Sequence, residues 1–309
     1  MAGLSIINTS RYVPPHIVTN DALKEYIDTS DEWIQSRTGI ATRHFAKDES
    51  NLDMAMHVAT QLLADVNPSE IGAIIVATFT PDYHTPSMAC MIQKHLSLPA
   101  DVLAFDINAA CSGFVYGLHL AKGLLLQDSS KKIMLLGSEK ISTYMDFTDR
   151  NTCILFGDGA GGVLLTLAEH GEDAFAFQTF GDDDSIVCRK QLEDPYIHMN
   201  GQAVYRFAVN AVLTGIERVL TKSGLSLEDI DHFVCHQANH RIIKQAYEKL
   251  GISPDKFFIN LTKYGNTSGA SIPLVLDEMA EQDLLKHGDK LILIGFGAGL
   301  TWGASLITW

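Results

Sequence analysis

The stretch INAACSGF (107–114), set between PSEIGAIIVAT (68–78) and KKIMLLGSE (131–139), has a loose counterpart in the second half of the chain. There YGNTSGAS (264–271) lies between SLEDIDHFVCH (226–236) and DKLILIGFG (289–297). With Ile71 set against Ile230 and Ser112-Gly113 against Ser268-Gly269, the spacing within the two copies agrees to within three residues. Each copy reads as a short β-branched run, a loop, a small-residue turn into an amphipathic helix and a further apolar strand. Runs that are apolar throughout, such as Ala73 to Ala77 and Ile133 to Leu136, predict strands covered by helices on both faces. The expectation is an α/β fold used twice, in halves 1–168 and 169–309.

Size agrees with two core-bearing units, since 309 residues exceed the roughly 250–300 at which one core stops growing. At 46% hydrophobic and 19% charged residues, intrinsic disorder is excluded. Asp plus Glu outnumber Lys plus Arg by 37 to 23, for a net charge of −14, which opposes nonspecific binding to nucleic acid or an anionic membrane. The five cysteines, Cys90, Cys111, Cys153, Cys188 and Cys235, form no C-x-x-C pair and suit a reducing, cytoplasmic setting. Residues Met1 to Asn8 lack the basic start of a signal peptide. Leu291 to Trp309 is free of charge, but glycines at 295, 297, 299 and 303 with Thr301, Ser305 and Thr308 predict two buried strands joined by a glycine turn rather than a membrane span.

Two motifs are set aside on context. Gly157 to Gly162 satisfies G-x-G-x-x-G, with Asp182 to Asp184 downstream. A dinucleotide fingerprint must open a helix, whereas Val163 to Leu167 reads as a strand. His232, His236 and His240 fall at helical spacing, yet Phe233-Val234-Cys235 reads as strand. That would separate the first two histidines by roughly 13 Å at about 3.3 Å per residue, so no metal site is expected.

Three residues are candidates for chemistry. Cys111 sits between a strand-like run, Val102 to Ala110, and an apolar helix, Phe114 to Leu126. A cysteine there faces the positive end of a helix dipole, which favours the thiolate, and its backbone N–H is placed to hold an oxyanion. A buried structural cysteine is the competing reading. His236 ends the strand Asp231 to Cys235, where open α/β sheets place ligands, and reads equally as a core histidine. Asn266 lies in a turn-rich stretch before a helix starting near Ala270; it reads as an ordinary turn residue, except that the repeat alignment sets Asn266 and Thr267 against Ala110 and Cys111 and so brings both loops to one cleft.

With these residues in view, the sequence resembles the β-ketoacyl-acyl-carrier-protein synthase III family. DTSDEWIQSRTGI (28–40), INAACSGF (107–114), RNTCILFGDGAGG (150–162), CHQANHRII (235–243), YGNTSGASIP (264–273) and GFGAGLTWG (295–303) carry the likeness across nearly the whole chain. The resemblance implies a thiolase-like fold, five-layered α-β-α-β-α, in a cytoplasmic homodimer without cofactor or metal. It implies a catalytic triad of Cys111, His236 and Asn266, and an oxyanion held by the backbone N–H groups of Cys111 and Ala298. The implied reaction is ping-pong: Cys111 takes an acyl group from acyl-CoA, then malonyl-acyl-carrier protein is decarboxylated and its enolate attacks the acyl-cysteine. His236 and Asn266 would donate to that enolate.

For CoA the resemblance carries Thr29, Trp33, Arg37, Arg150 and Asn239; Trp33 offers a stacking face for adenine or Arg150, and arginines offer forks for phosphate. Without the family, Trp33 reads equally as core and Arg37 as surface. For the acidic carrier protein, Arg206, Arg241, Lys244 and Lys249 would form a local basic dock despite the acidic total, although Glu248 stands where a basic residue is usual. The primer pocket would involve Phe79, Thr85 and Phe156. Thr85 replaces a Phe that in some relatives enters the neighbouring subunit's pocket, which should admit bulkier primers; Phe79 stands where relatives carry Thr and opposes this by reclaiming volume, and the expectation is tolerance beyond acetyl, toward branched or medium chains. Three other functions are weighed: a specialised-metabolite condensing enzyme of the same fold, a Cys-His-Asn hydrolase, which the duplication disfavours, and a noncatalytic scaffold, which the intact triad disfavours.

Overall fold

The apolar runs become the central strands of two sheets in a computed structural model that describes residues 2–169, 171–189 and 194–309. The first sheet runs, edge to edge, Gly3–Tyr12, Gly159–Ala168, Lys132–Glu139, Ile71–Ala77, Leu103–Ile107. Ile71–Ala77 is parallel to both neighbours and the other pairings are antiparallel. The second sheet runs Ala174–Thr179, Thr301–Thr308, Lys290–Gly297, His232–Cys235, with only the last pair parallel. It repeats the first strand for strand. The place of Leu103–Ile107 is held by one parallel bridge, Phe233 to Phe257.

Alternation along each strand builds the layers, because successive side chains leave opposite faces. Ala73, Ile75, Ile133 and Leu135 pack inward on the helix Gly113–Leu125, while Ile74, Val76, Met134 and Leu136 pack outward with the helix Asn51–Leu63. In the second sheet Leu291 and Leu293 turn inward, and Ile292 and Ile294 turn out to the helices Gly201–Ser223 and His240–Leu250. The inner helices Gly113–Leu125 and Ser271–Glu281 share one apolar cluster with both sheets. The result is the five-layered α-β-α-β-α thiolase fold.

The repeat is real, but its register differs by two residues from the alignment of Ser112-Gly113 with Ser268-Gly269. The 3-10 turns Ala110–Ser112 and Ser268–Ala270 lead into helices that begin at Gly113 and Ser271. Ala110 and Ser268 occupy the same left-handed conformation, φ 45° and 48°. The Ala110 N–H donates to Asn108 Oδ1 at 3.2 Å just as the Ser268 N–H donates to Asn266 Oδ1 at 2.9 Å. Asn266 therefore corresponds to Asn108, and Cys111 to Gly269. What repeats is an asparagine-braced turn, not the Ser-Gly dipeptide.

The glycine motif enters the strand Gly159–Ala168, not a helix. A Cβ on Gly161 would lie 2.9 Å from the Leu274 backbone N, so glycine there admits the inner helix onto the sheet. The uncharged C-terminal run forms the hairpin strands Lys290–Gly297 and Thr301–Thr308, and among the described residues no helix is long and apolar enough to cross a membrane. His232 opens a strand, His236 follows it and His240 opens a helix; no grouping of His, Cys, Asp and Glu among the described residues could hold a metal.

Candidate active site

Cys111 is the middle residue of the turn Ala110–Ser112 and is buried, 8% exposed. Its Sγ donates to Ser268 Oγ at 3.3 Å. Burial pushes the thiol from 9.0 up to about 12, with the Ser268 bond pulling the other way. Burial and the helix end act on this thiol in opposite directions.

His236 leaves the sheet with its N–H bonded to Ile294 O at 2.7 Å and its ring buried, edge-on to Phe296 at 5.1 Å. Nδ1 lies 2.7 Å from Oγ of Ser271, the first residue of the inner helix. The Gln237 N–H donates to the same Oγ at 3.3 Å. Ser271 thus holds the ring at Nδ1, leaving Nε2 as the nitrogen free of this contact. Burial lowers the ring's pKa from 6.5 to about 3, so it is neutral.

Asn266 is fixed by its backbone, which pairs with the loop beside Phe156: its N–H bonds Leu155 O at 2.8 Å and its carbonyl accepts Gly157 N–H at 3.0 Å. That loop is held by buried Arg43, whose Nη2 donates to Ile154 O at 2.8 Å. Because Asn266 Oδ1 accepts the Ser268 N–H, the amide NH2 is the end that can donate.

Cys111, His236 and Asn266 line one cavity of about 400 Å³, with Phe156 and Phe296 among its walls and Trp33, Arg37 and Asn239 also lining it. Among the described residues no carboxylate lines it. A second cavity of about 200 Å³ also touches Cys111, and Phe79, Phe156 and Ala298 line it. Thr85 is exposed and does not line that cavity within one chain.

Near the wider cavity Arg150 stacks on Trp33 at 3.8 Å from the ring centre, with Arg37 at 5.8 Å. Asn239 caps the helix His240–Leu250 through Oδ1, and its Nδ2 donates to Arg37 O at 3.1 Å. Thr29 lines neither cavity; its Oγ1 is buried without a partner. Arg206 and Arg241 line an outer groove that also takes in Arg37 and Asn239. Lys244 and Lys249 are exposed on the adjoining helix outside that groove, Lys244 lying 3.7 Å from Glu248.

Three residues in contact with this constellation were not singled out by the sequence: Ser268, Ser271 and Glu139. Glu139 alone carries a signal, as a carboxylate closing the apolar run KIMLLGSE.

A thiol, a neutral histidine and a carboxamide, drawn from both halves of a duplicated α/β fold into one cavity, define an acyltransferase of the thiolase-fold condensing class. The family described as 3-oxoacyl-[acyl-carrier-protein] synthase III matches residues 105–183, and its C-terminal counterpart matches residues 220–309. The β-ketoacyl-[acyl-carrier-protein] synthase III of Clostridium tetani is 44% identical over 329 residues, 98% of either chain. The crystal structure of 3-oxoacyl-[acyl-carrier-protein] synthase III from Aquifex aeolicus superposes with a TM-score of 0.95 at 41% identity, covering 99% of this chain and 100% of that one. A priming β-ketosynthase of a polyketide biosynthetic pathway follows at 30% identity and TM-score 0.93, covering 99% of this chain and 96% of that one. The chain belongs to the β-ketoacyl-acyl-carrier-protein synthase III family.

Proposed function

We propose that the protein carries out the initiating condensation of type II fatty-acid synthesis, with Cys111, His236 and Asn266 as its catalytic residues. The observation that carries this reading is their shared cavity, with His236 held at Nδ1 and the amide end of Asn266 on offer. Cys111 attacks the thioester of an acyl-CoA, and backbone N–H groups of Cys111 and Ala298 hold the oxyanion. CoA leaves, and malonyl-acyl-carrier protein takes its place. Loss of CO2 leaves an enolate whose oxygen receives hydrogen bonds from His236 Nε2 and Asn266 Nδ2, and its carbon attacks the acyl-cysteine. Neither donor has to be charged, which suits a cavity where burial keeps the imidazole neutral.

The wider cavity serves the CoA and carrier arm. Trp33, Arg37, Arg150 and Asn239 receive CoA, with Thr29 as an outer contact, and Arg206 and Arg241, flanked by Lys244 and Lys249, receive the acidic carrier protein. The narrower cavity, with Phe79 and Phe156, receives the primer's acyl chain. A cytoplasmic homodimer without cofactor completes the reading, and Thr85 would meet the primer site of the neighbouring subunit. The edge strand Leu103–Ile107 supports it, being incompletely buried and, among the described residues, unpaired on its outer side. The units 1–168 and 169–309 each supply one sheet.

Incubation with acetyl-CoA and malonyl-acyl-carrier protein tests this reading. It predicts CO2 release matched by 3-oxoacyl-acyl-carrier protein; thioester or peptide hydrolysis without CO2 would contradict it. Likeness to the polyketide priming enzyme favours a second reading, specialised-metabolite condensation, which a preference for a primer other than simple acyl-CoAs would support.

A further inference from the structure

Acylation needs two backbone N–H groups, of Cys111 and of Ala298, to converge on one oxygen, although they come from different halves of the chain. Gly297 packs against Cys111, but the turn after it has little side chain to hold it, Ala298 being half-buried and Gly299 exposed. Its carbonyls hold it instead. Ala298 O accepts from Thr301 Oγ1 at 3.0 Å, Gly299 O from the Asp182 N–H at 2.8 Å, Leu300 O from the Phe180 N–H at 2.8 Å and Thr301 O from Ser112 Oγ at 3.0 Å.

The last of these bonds reaches the turn that carries the nucleophile. Ser112 follows Cys111, closes the turn Ala110–Ser112 and is fully buried. Its Oγ lies 3.0 Å from Thr301 Oγ1 as well. Each hydroxyl has one proton to give. That of Ser112 goes to Thr301 O, so that of Thr301 is shared between Ser112 Oγ and Ala298 O. The Thr301 methyl is lodged against Gly299, where a Cβ would stand 2.7 Å from Cγ2. A β-branched side chain fixed by its methyl keeps its hydroxyl in one direction. With Gly297 set against Cys111 on one side and the Ala298 carbonyl tied on the other, the planar Gly297–Ala298 peptide has little freedom to turn its N–H away.

We propose that Ser112 and Thr301 form a positioning pair that aims the Ala298 N–H at the thioester oxygen over Cys111, and so sets the strength of the oxyanion hole. The proposal rests on the reading of Cys111 as nucleophile and Ala298 as oxyanion donor. Ser112 and Thr301 line neither cavity, so they act on the reacting atoms only through the turn they hold.

The test uses Thr301→Val, which keeps the shape and loses the hydroxyl, Thr301→Ser, which keeps the hydroxyl, and Ser112→Ala, with Cys111→Ala as blank. Single-turnover acylation by acetyl-CoA, followed by intact mass, should slow roughly 10²-fold at saturation in Thr301→Val, with half-saturation unchanged. Thr301→Ser should recover most of that rate. Ser112→Ala should slow the step too, and the double variant should be no slower than the slower single one, because both act through one bridge. In infrared difference spectra of the enzyme acetylated with label at the carbonyl carbon, the thioester band should move to higher frequency in Thr301→Val as its hydrogen bond weakens. Wild-type rates and band positions in Thr301→Val and Ser112→Ala, a loss that Thr301→Ser leaves unrepaired, or fully additive losses would overturn the pairing. If Thr301→Val fails to fold, the rate and band position in Ser112→Ala decide alone. Added mass in the Cys111→Ala blank would instead overturn the assignment of the nucleophile.

Discussion

Gly297 faces Cys111 so closely that a Cβ at position 297 would stand 2.9 Å from Cys111 Cβ and 3.1 Å from its Sγ. The strand Lys290–Gly297 ends there, so the second half of the chain shapes the space around a residue supplied by the first. Gly297→Ala should force the sulfur aside. A displacement of that size at a nucleophile costs roughly 10²-fold in rate, measurable as slowed acylation by acetyl-CoA in a protein of unchanged circular dichroism. Acylation at the wild-type rate would mean that the sulfur has freedom the packing denies.

On the proposed mechanism Asn266 and Cys111 act in different half-reactions. Asn266→Ala should lower decarboxylation of malonyl-acyl-carrier protein roughly 10²–10³-fold, the effect of removing one oxyanion donor, while Cys111 still accepts an acyl group. Single-turnover assays of the two steps separate them, and parallel losses would refute the division.

Ser271 holds the imidazole at Nδ1, and on the proposed mechanism the ring's proton sits on Nε2. In Ser271→Ala the Gln237 N–H and Nδ1 both lose their partner, and kcat should fall by roughly tenfold to a hundredfold. Nitrogen NMR of labelled histidine should show His236 protonated on Nε2 in the wild type and a mixture of tautomers in the variant. A wild-type spectrum with the proton on Nδ1 would contradict the assignment.

His236 also leaves a signature in acid stability. The unfolded chain takes up this proton below about 6.5, whereas the native ring resists it down to about 3. Between those values the native state binds fewer protons, so its contribution makes stability fall as pH is lowered through the window. His236→Gln removes the titration, and its denaturation midpoint should depend less steeply on pH from 6.5 to 3. Identical slopes would show that the ring is not buried in neutral form.

The outer groove separates carrier-protein affinity from chemistry. Arg241→Glu and Arg206→Glu should raise KM for malonyl-acyl-carrier protein more than they lower kcat, and should weaken its dependence on salt. An unchanged KM at low ionic strength would remove the dock from this face.

The strands and layers were legible in the sequence because burial on both faces leaves uninterrupted apolar runs, as in Ile71–Ala77 and Lys132–Glu139. The meeting of Cys111, His236 and Asn266 in one cavity was legible because each sits where a strand or loop meets a helix. The register of the repeat was not, since it is written in backbone conformation at Ala110 and Ser268 and in asparagine-to-backbone bonds, while the matching Ser-Gly letters point two residues away. The burial of Cys111 was also hidden. A helix end can be read from local sequence, but the desolvation that opposes it comes from walls contributed by Phe296, Gly297 and Ser268, far along the chain.

The central claim, that the acyl group passes through Cys111, is tested most directly by incubating the protein with acetyl-CoA alone and locating the added mass by peptide mapping. One acetyl group on the peptide carrying Cys111, absent in Cys111→Ala, is the predicted result. An acetyl group on Cys90, Cys153, Cys188 or Cys235, or free acetate with no protein adduct, would contradict it.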